Sequence, residues 1–264
     1  MNTVTVHGVA VPYRDCGSGD PVLLIAGAGA SSSTWQAQID ALTAVGYRVV
    51  AIEHRGFGGS PVGNPYKLAD LAGDVGGVIE ELDLQPCRII GMSLGALVAQ
   101  ELASKRPELV HSLVLMATWA RTGYFRATLA RATARQLQSG AEIDPEYVAA
   151  QLAVQMFSPC TLADDDQIRD WLDLFTTLRV AGDSLAAQNE ATIDVDQRAQ
   201  LRDIASPTLV VAFADDVLCP PSVVREVADA VPGSRFVQIE QCGHLGVLER
   251  PDAVNDVLVN FFAR

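Results

Sequence analysis

Residues 87–103 read CRIIGMSLGALVAQELA. A continuous apolar run from Cys87 to Ile90 passes through Gly91-Met92-Ser93-Leu94-Gly95 into a helix-forming run that starts at Leu94. A run that apolar is the mark of a strand buried on both faces of a parallel sheet, so G-x-S-x-G falls on a strand-to-helix turn. Serine at the tip of such a turn is held in a strained backbone conformation, and glycines two residues to either side give the chain room to reverse. Its hydroxyl then stands above the sheet at a helix amino terminus, where free N–H groups and the helix dipole stabilise negative charge. A glycine-flanked helix cap is the plainer reading of the five residues. The strand before them and the helix after them argue for a nucleophile.

Working outward, Val4 to Val6 and Val9 to Tyr13 are short alternating runs split by His7-Gly8, a hairpin pattern. Pro21 to Ala26, Tyr47 to Ile52, Leu113 to Met116, Thr208 to Phe213 and Arg235 to Ile239 read as further strands. Helical runs at Thr34 to Ala44, Lys67 to Leu82 and Leu94 to Lys105 lie between the earlier ones, and alternation of this kind implies a parallel, doubly wound sheet. From Trp119 to Ser206 the rhythm breaks into helical runs without a strand: Arg121 to Leu137, Pro145 to Phe157 after an Asp144-Pro145 start signal, and Asp164 to Leu178, which opens on three acidic residues. The expected organisation is a core domain of residues 1–118 and 206–264 with a helical insert at 119–205. In the last of these helices Trp171, Leu174, Phe175 and Leu178 form an apolar stripe, read as packing against the core or as pocket lining.

The chain has 264 residues, 49% of them hydrophobic and 19% charged, a globular composition with too much apolar content for disorder. With 19 basic against 32 acidic residues the formal net charge is −13, which repels polyanions, so nucleic acid and anionic membrane surfaces are disfavoured as partners. The five cysteines, Cys16, Cys87, Cys160, Cys219 and Cys242, are scattered and contain no C-x-x-C pair; neither a disulfide framework nor a zinc knuckle fits. No leader pattern opens the sequence and no apolar stretch is long enough to span a bilayer. A reduced cytoplasmic location is the expectation.

A serine hydroxyl needs a base within reach. Of His7, His54, His111 and His244, only His54 and His244 follow strands, and carboxyl ends of parallel strands are where catalytic groups collect. The order Ser, Asp, His typical of triads on this kind of sheet selects His244. The acid should follow the strand Thr208 to Phe213, where Asp215 and Asp216 both stand; the spacing of Asp216 to Pro220 favours it. Donors for an oxyanion are expected from the N–H of Leu94 and from the loop Gly27-Ala28-Gly29, with Ala28 the chosen residue and a plain turn the alternative. Cys219 and Cys242 are read as small buried packing residues. The arginines Arg121, Arg126, Arg131 and Arg135 are read as a solvated face that could also draw in an anionic substrate. Met92, Trp119, Phe157, Trp171 and Phe175 are the candidate pocket-lining side chains.

GMSLG at 91–95, EHRGFG at 53–58, FADDVLCPP at 213–221 and QCGHLG at 241–246 followed by ERP at 249–251 together resemble the α/β-hydrolase superfamily, and within it the cofactor-free bacterial haloperoxidases, esterases and enol-lactone hydrolases. The resemblance implies an α/β fold with a mostly parallel eight-stranded sheet flanked by helices, a triad of Ser93, Asp216 and His244, oxyanion donors at Ala28 and Leu94, a helical cap, and no cofactor or metal. Two positions depart from the pattern: Ala26 replaces the usual histidine before Gly27, and Ala28 replaces a bulkier residue, which implies a wider pocket on that side. Epoxide hydrolases and haloalkane dehalogenases carry aspartate where this chain has Ser93, which argues against both chemistries.

The function expected is therefore a serine hydrolase acting on an ester, thioester or lactone of a small molecule through an acyl-enzyme on Ser93, with peracid formation as a side activity. The alternatives are a C–C bond hydrolase or tailoring enzyme of specialised metabolism using the same triad, and a non-catalytic ligand receptor on a hydrolase fold. A homo-oligomer is compatible with the sequence, which does not specify one.

Overall fold

The computed structural model describes residues 1–60, 65–177 and 182–263. Strands β1 (Asn2–Val6) and β2 (Val9–Gly17) form the expected hairpin, turning at His7 and Gly8 with φ of 49° and 80°. Two successive positive φ values match the handedness of a tight two-residue hairpin turn. The remaining strands are β3 (Asp20–Ile25), β4 (Tyr47–Ile52), β5 (Cys87–Met92), β6 (Val110–Met116), β7 (Thr208–Phe213) and β8 (Arg235–Ile239). They complete an eight-stranded sheet in the order β1-β2-β4-β3-β5-β6-β7-β8. β2 pairs antiparallel with β4, and every pair from β4 to β8 is parallel. The expected mostly parallel eight-stranded sheet is what forms.

Helices cover both faces: α1 (Gln36–Ala44), α2 (Leu68–Glu81) and α3 (Leu94–Lys105) in the first half. Five more, α4 (Tyr124–Gln138), α5 (Pro145–Met156), α6 (Pro159–Leu162), α7 (Asp165–Thr177) and α8 (Gly182–Ala191), lie between β6 and β7, and α9 (Pro221–Ala230), α10 (Gly246–Glu249) and α11 (Pro251–Phe262) close the chain. Because β3 to β5 are covered on both sides, Val22 to Ile25, Val49 to Ala51 and Ile89 to Ile90 are completely buried, which is why these strands read as unbroken apolar runs.

The strand order fixes where a ligand can enter. From β3 the chain runs outward to β4 on one side, and β5 then begins a walk in the other direction through β6, β7 and β8. The loops after β3 and β5 therefore diverge, and the carboxyl ends of strands at such a reversal are the usual ligand position in an open parallel sheet. Gly27 to Gly29 and Ser93 stand on these two loops.

Among the described residues, the helices between β6 and β7 pack in pairs, α4 on α8 and α5 on α7. Asp144 caps α5, its carboxylate accepting the N–H groups of Glu146 at 2.9 Å and Tyr147 at 3.1 Å, as the Asp144-Pro145 signal foretold. α7 buries none of its residues, so the expected stripe is at most half-covered, and Leu174 is exposed; Leu178 lies outside the described residues. Arg126 departs from the expected solvated face: it turns inward, its guanidinium 4.0 Å over the Trp119 ring.

α3 runs so close beneath β3 that a Cβ on Gly95 would run into the Ile25 and Ala26 carbonyl oxygens, both backbone atoms that cannot rotate away. Gly95→Ala is expected to cost at least ~3 kcal/mol, the scale of severe core overpacking. Gly123→Ala, where a Cβ meets nothing within 4 Å, should stay within about 0.5 kcal/mol of the parent. Urea denaturation of both variants measures the contrast.

Candidate active site

Ser93 stands between β5 and α3 with φ of 53° and ψ of −116°. A non-glycine residue in that region is strained and persists only where its surroundings hold it there. Its N–H donates to the Met116 carbonyl at 3.0 Å, and its own carbonyl accepts from Ala96 and Leu97, both at 3.1 Å. A Cβ on Gly91 would lie 2.5 Å from the Gly95 carbonyl oxygen, so Gly91 makes room for the first turn of α3 as Gly95 makes room for the end of β3. Ser93 is partly exposed although Met92 and Leu94 on either side are buried. Among the described residues Ser93 Oγ has no protein hydrogen-bond partner, and the Leu94 N–H has no protein acceptor.

Asp216 follows β7 and His244 follows β8, at the same carboxyl edge of the sheet. His244 Nδ1 and Asp216 Oδ2 are 2.8 Å apart, and both side chains are almost wholly buried. The other carboxylate oxygen, Oδ1, accepts the N–H groups of Leu218 and Cys219, each at 2.8 Å. Burial opposes charge on Asp216, but the His244 charge and hydrogen bond and the two backbone donors outweigh it and hold the carboxyl below its ordinary range. Burial likewise opposes charge on His244, and the Asp216 carboxylate overcomes it, pushing the imidazole above its ordinary value. With Nδ1–H donated to Asp216, Nε2 is left to accept a proton. Asp216 rather than Asp215 meets the imidazole; the Asp215 N–H instead bonds the Cys242 carbonyl at 3.0 Å.

Gly27 abuts the serine, since a Cβ built on it would sit 3.3 Å from Ser93 Cβ and 3.7 Å from Met92 Cε. Ala28 is exposed, and among the described residues its N–H has no protein acceptor. These positions bring Ser93, Met92 and the Gly27-Ala28-Gly29 loop together. Phe157, Trp171 and Phe175 form one aromatic cluster, with ring centroids 5.0, 5.7 and 6.2 Å apart. That cluster borders the histidine loop, because a Cβ on Gly243 would lie 2.6 Å from the Phe157 carbonyl carbon. Trp119 belongs to a separate group at the Asp216 loop: its ring lies under Arg126, which also donates to the Leu218 carbonyl and to Cys219 Sγ at 3.5 Å.

Cys219 and Cys242 are fully buried, as expected. The ligating atoms of Asp216, Cys219 and His244 lie within 4.8 Å of one another. A cation held there would have to break the Nδ1 to Oδ2 hydrogen bond, so the set is arranged for proton sharing rather than for ligation.

Glu249 is a residue that sequence reasoning missed, although it begins the ERP motif. Its Oε1 accepts Ser158 N–H at 2.9 Å and the hydroxyls of Ser158 and Thr161 at 2.7 Å each, and its Oε2 accepts Gly243 N–H at 2.5 Å. One carboxylate thus ties the segment after α5 to the residue before His244. Every partner is a donor, so Glu249→Gln turns an amide NH₂ against an N–H and leaves donors unsatisfied; a loss of about 2–3 kcal/mol is expected in urea denaturation.

The alpha/beta hydrolase family model matches residues 22–257. A relative from Mycobacterium tuberculosis named "Putative non-heme bromoperoxidase BpoC" is 40% identical, over 97% of this chain and 98% of that one. One from Azorhizobium caulinodans named "Putative carbamate hydrolase RutD" is 29% identical, over 94% of this chain and 93% of that one. Among solved structures, the enol-lactonase from Burkholderia xenovorans superposes with a TM-score of 0.89 at 25% identity, with full coverage of both chains.

Proposed function

The chain belongs to the alpha/beta hydrolase family, and from that premise we propose that it cleaves an ester, thioester or lactone of a small molecule through an acyl-enzyme on Ser93. The observation that carries this reading is the strained, partly exposed Ser93 at the same sheet edge as the buried Asp216–His244 pair.

In the proposed reaction His244 Nε2 takes the Ser93 hydroxyl proton as Oγ attacks the acyl carbonyl, and Asp216 holds the imidazole tautomer and stabilises the imidazolium. The carbonyl oxygen gains negative charge and is met by the N–H groups of Leu94 and Ala28. His244 then returns the proton to the departing alcohol, thiol or lactone oxygen. Water, deprotonated by His244, attacks the acyl-enzyme, releasing the acid and restoring Ser93. The helices of residues 119–205 act as a cap on a core of residues 1–118 and 206–264, with Met92, Trp119, Phe157, Trp171 and Phe175 lining the acyl pocket.

The kinship with a protein named as a bromoperoxidase favours a side reaction. Hydrogen peroxide in place of water as the acyl acceptor would yield a peracid and free Ser93, and the peracid would oxidise halide to hypohalous acid in solution. Halogenation should then depend on an added short carboxylic acid or ester.

Ser93→Ala should lower turnover of 4-nitrophenyl acetate by at least ~10³-fold with the fold intact, since loss of a triad nucleophile costs orders of magnitude. Retention within a few fold would remove Ser93 as nucleophile. A fluorophosphonate should label the parent at Ser93, which a non-catalytic receptor would not allow.

Only neutral His244 can act as base, and its pKa is raised by Asp216. The base form is therefore half-populated at that raised value and predominates above it. In a profile of kcat/KM against pH, activity should rise through a limb whose midpoint lies above the 6.5 of an ordinary histidine and fall away below it. Asp216→Asn should move the midpoint down while depressing the plateau.

A further inference from the structure

Three consecutive peptide planes lead from the end of β3 past Ser93, and each is held by a different partner. The Ala26 carbonyl lies 2.9 Å from His54 Nε2. His54 is fully buried, and burial lowers its pKa, so the ring is neutral and carries its proton on Nε2 to donate to that carbonyl. The Gly27 carbonyl accepts the Ala30 N–H at 3.3 Å, a long bond internal to the loop. The Gly29 N–H donates to Oε1 of Gln188 at 2.8 Å, a contact spanning 159 residues.

The middle plane, between Gly27 and Ala28, contains the N–H assigned to the oxyanion. It has the weakest tether of the three, and its direction follows from the two planes on either side. In a trans peptide the carbonyl and N–H point opposite ways. With the Gly27 carbonyl turned back to Ala30, the Ala28 N–H faces away from its own loop.

Gln188 sits on α8, in the segment inserted between β6 and β7, and is completely buried. A backbone N–H can only donate, so the amide must present its oxygen to Gly29. Its Nε2 is then left buried without a protein partner. A buried amide with an unsatisfied NH₂ is costly to keep, and its one hydrogen bond goes to Gly29. α8 is itself fixed against the core, with Leu185 at van der Waals distance from a Cβ built on Gly29 and Ser184 Oγ donating to the Gly56 carbonyl at 3.0 Å.

We propose that Gln188 is a positioning residue for the oxyanion loop: by holding Gly29 N–H it sets the direction of the Ala28 N–H, so that stabilisation of the oxyanion depends on where α8 sits. The proposal rests on the reading of Ser93 as nucleophile and of Ala28 as oxyanion donor. It makes the inserted helices part of the transition-state geometry as well as pocket walls. Docking of α8 aligns the donor, and displacement of α8 releases it.

The test compares Gln188→Met, which keeps the length and apolar bulk of the side chain but removes the acceptor, with the parent on 4-nitrophenyl acetate and on its thiono analogue, in which sulfur replaces the carbonyl oxygen. Sulfur is a poor hydrogen-bond acceptor, so the oxygen-to-sulfur rate ratio reports on the oxyanion donors. A misaligned donor should lower kcat on the oxygen ester by about 10- to 100-fold, less than the loss of a whole donor. KM should stay within about threefold and the ratio should shrink, because the thiono ester loses little. Gln188→Glu, whose carboxyl retains an acceptor for Gly29, should recover most of the ratio.

A Gln188→Met enzyme with the parental ratio overturns the proposal, as does a Glu variant no better than Met. If the Met variant does not fold, Gln188→Asn, which is too short to span the bond, takes its place: a shrunken ratio supports the positioning role and a parental one overturns it. Ser93→Ala run beside them separates the nucleophile from the positioning role. Ester turnover surviving Ser93→Ala would sink the nucleophile, whereas an inactive Ser93→Ala beside an unaltered Gln188→Met would sink only the positioning role.

Discussion

The left-handed backbone at Ser93 is the constraint on which the rest of the structure depends. A serine with φ of 53° is held there by the hydrogen bond from its N–H to Met116 and by two glycines with no room for a side chain. Gly91 lies against the start of α3 and Gly95 against the end of β3, so one turn fixes the packing of three elements at once. The strain, of order 1–3 kcal/mol for a residue in such a region, is borne by a core in which the carboxyl-terminal halves of β3, β5 and β6 are buried.

The Asp216–His244 pair is supported differently, by loops and not by a glycine-locked turn. Asp216 is fixed by two backbone N–H groups in its own loop, but the residue before His244 is fixed from outside, through Glu249 and the segment after α5. The Gly27-Ala28-Gly29 loop is also fixed from outside, through Gln188 of α8. Both long-range ties originate in the chain inserted between β6 and β7. The Ser93 turn is held wholly by β3, β5, β6 and α3, whereas the geometry of the His244 loop and of the Gly27-Ala28-Gly29 loop is shared with the segment between β6 and β7.

This division explains which parts of the molecule were legible in the sequence. β4 and β7 were readable to the residue because strands buried on both faces are apolar almost throughout; β8, half-exposed at the sheet edge, showed instead in its β-forming Phe236, Val237 and Ile239, and the hairpin announced itself through His7-Gly8. Ser93, Asp216 and His244 were singled out in the sequence because each follows a strand of the sheet. Gln188 and the structural role of Glu249 were not. The buried face of α8 consists of Ser184, Ala186 and Gln188, small or polar residues without apolar periodicity, so neither the helix nor its buried glutamine carries a local signal. Glu249 acts through four donors, three of which lie about 90 residues away, and nothing in its neighbourhood marks it as more than a surface acid. Arg126 defeats the local pattern for a related reason: a helix with several arginines looks solvated, and only the tertiary placement of Trp119 and Leu218 turns one of them inward.

The Ser93 turn and the aromatic cluster of Phe157, Trp171 and Phe175 therefore sit under different physical constraints. A side chain added at Gly91 or Gly95 meets backbone atoms that cannot rotate away, so substitutions at those two positions break the fold before they alter what is bound. α7, in contrast, has no fully buried residue; it presents Trp171 and Phe175 to Phe157, with Ile168, Leu172 and Thr176 half-buried beside them. The aromatic wall can be rebuilt by substitutions on α7 at small cost to the core, provided that α8 and the segment after α5 keep their hold on Gly29 and Gly243.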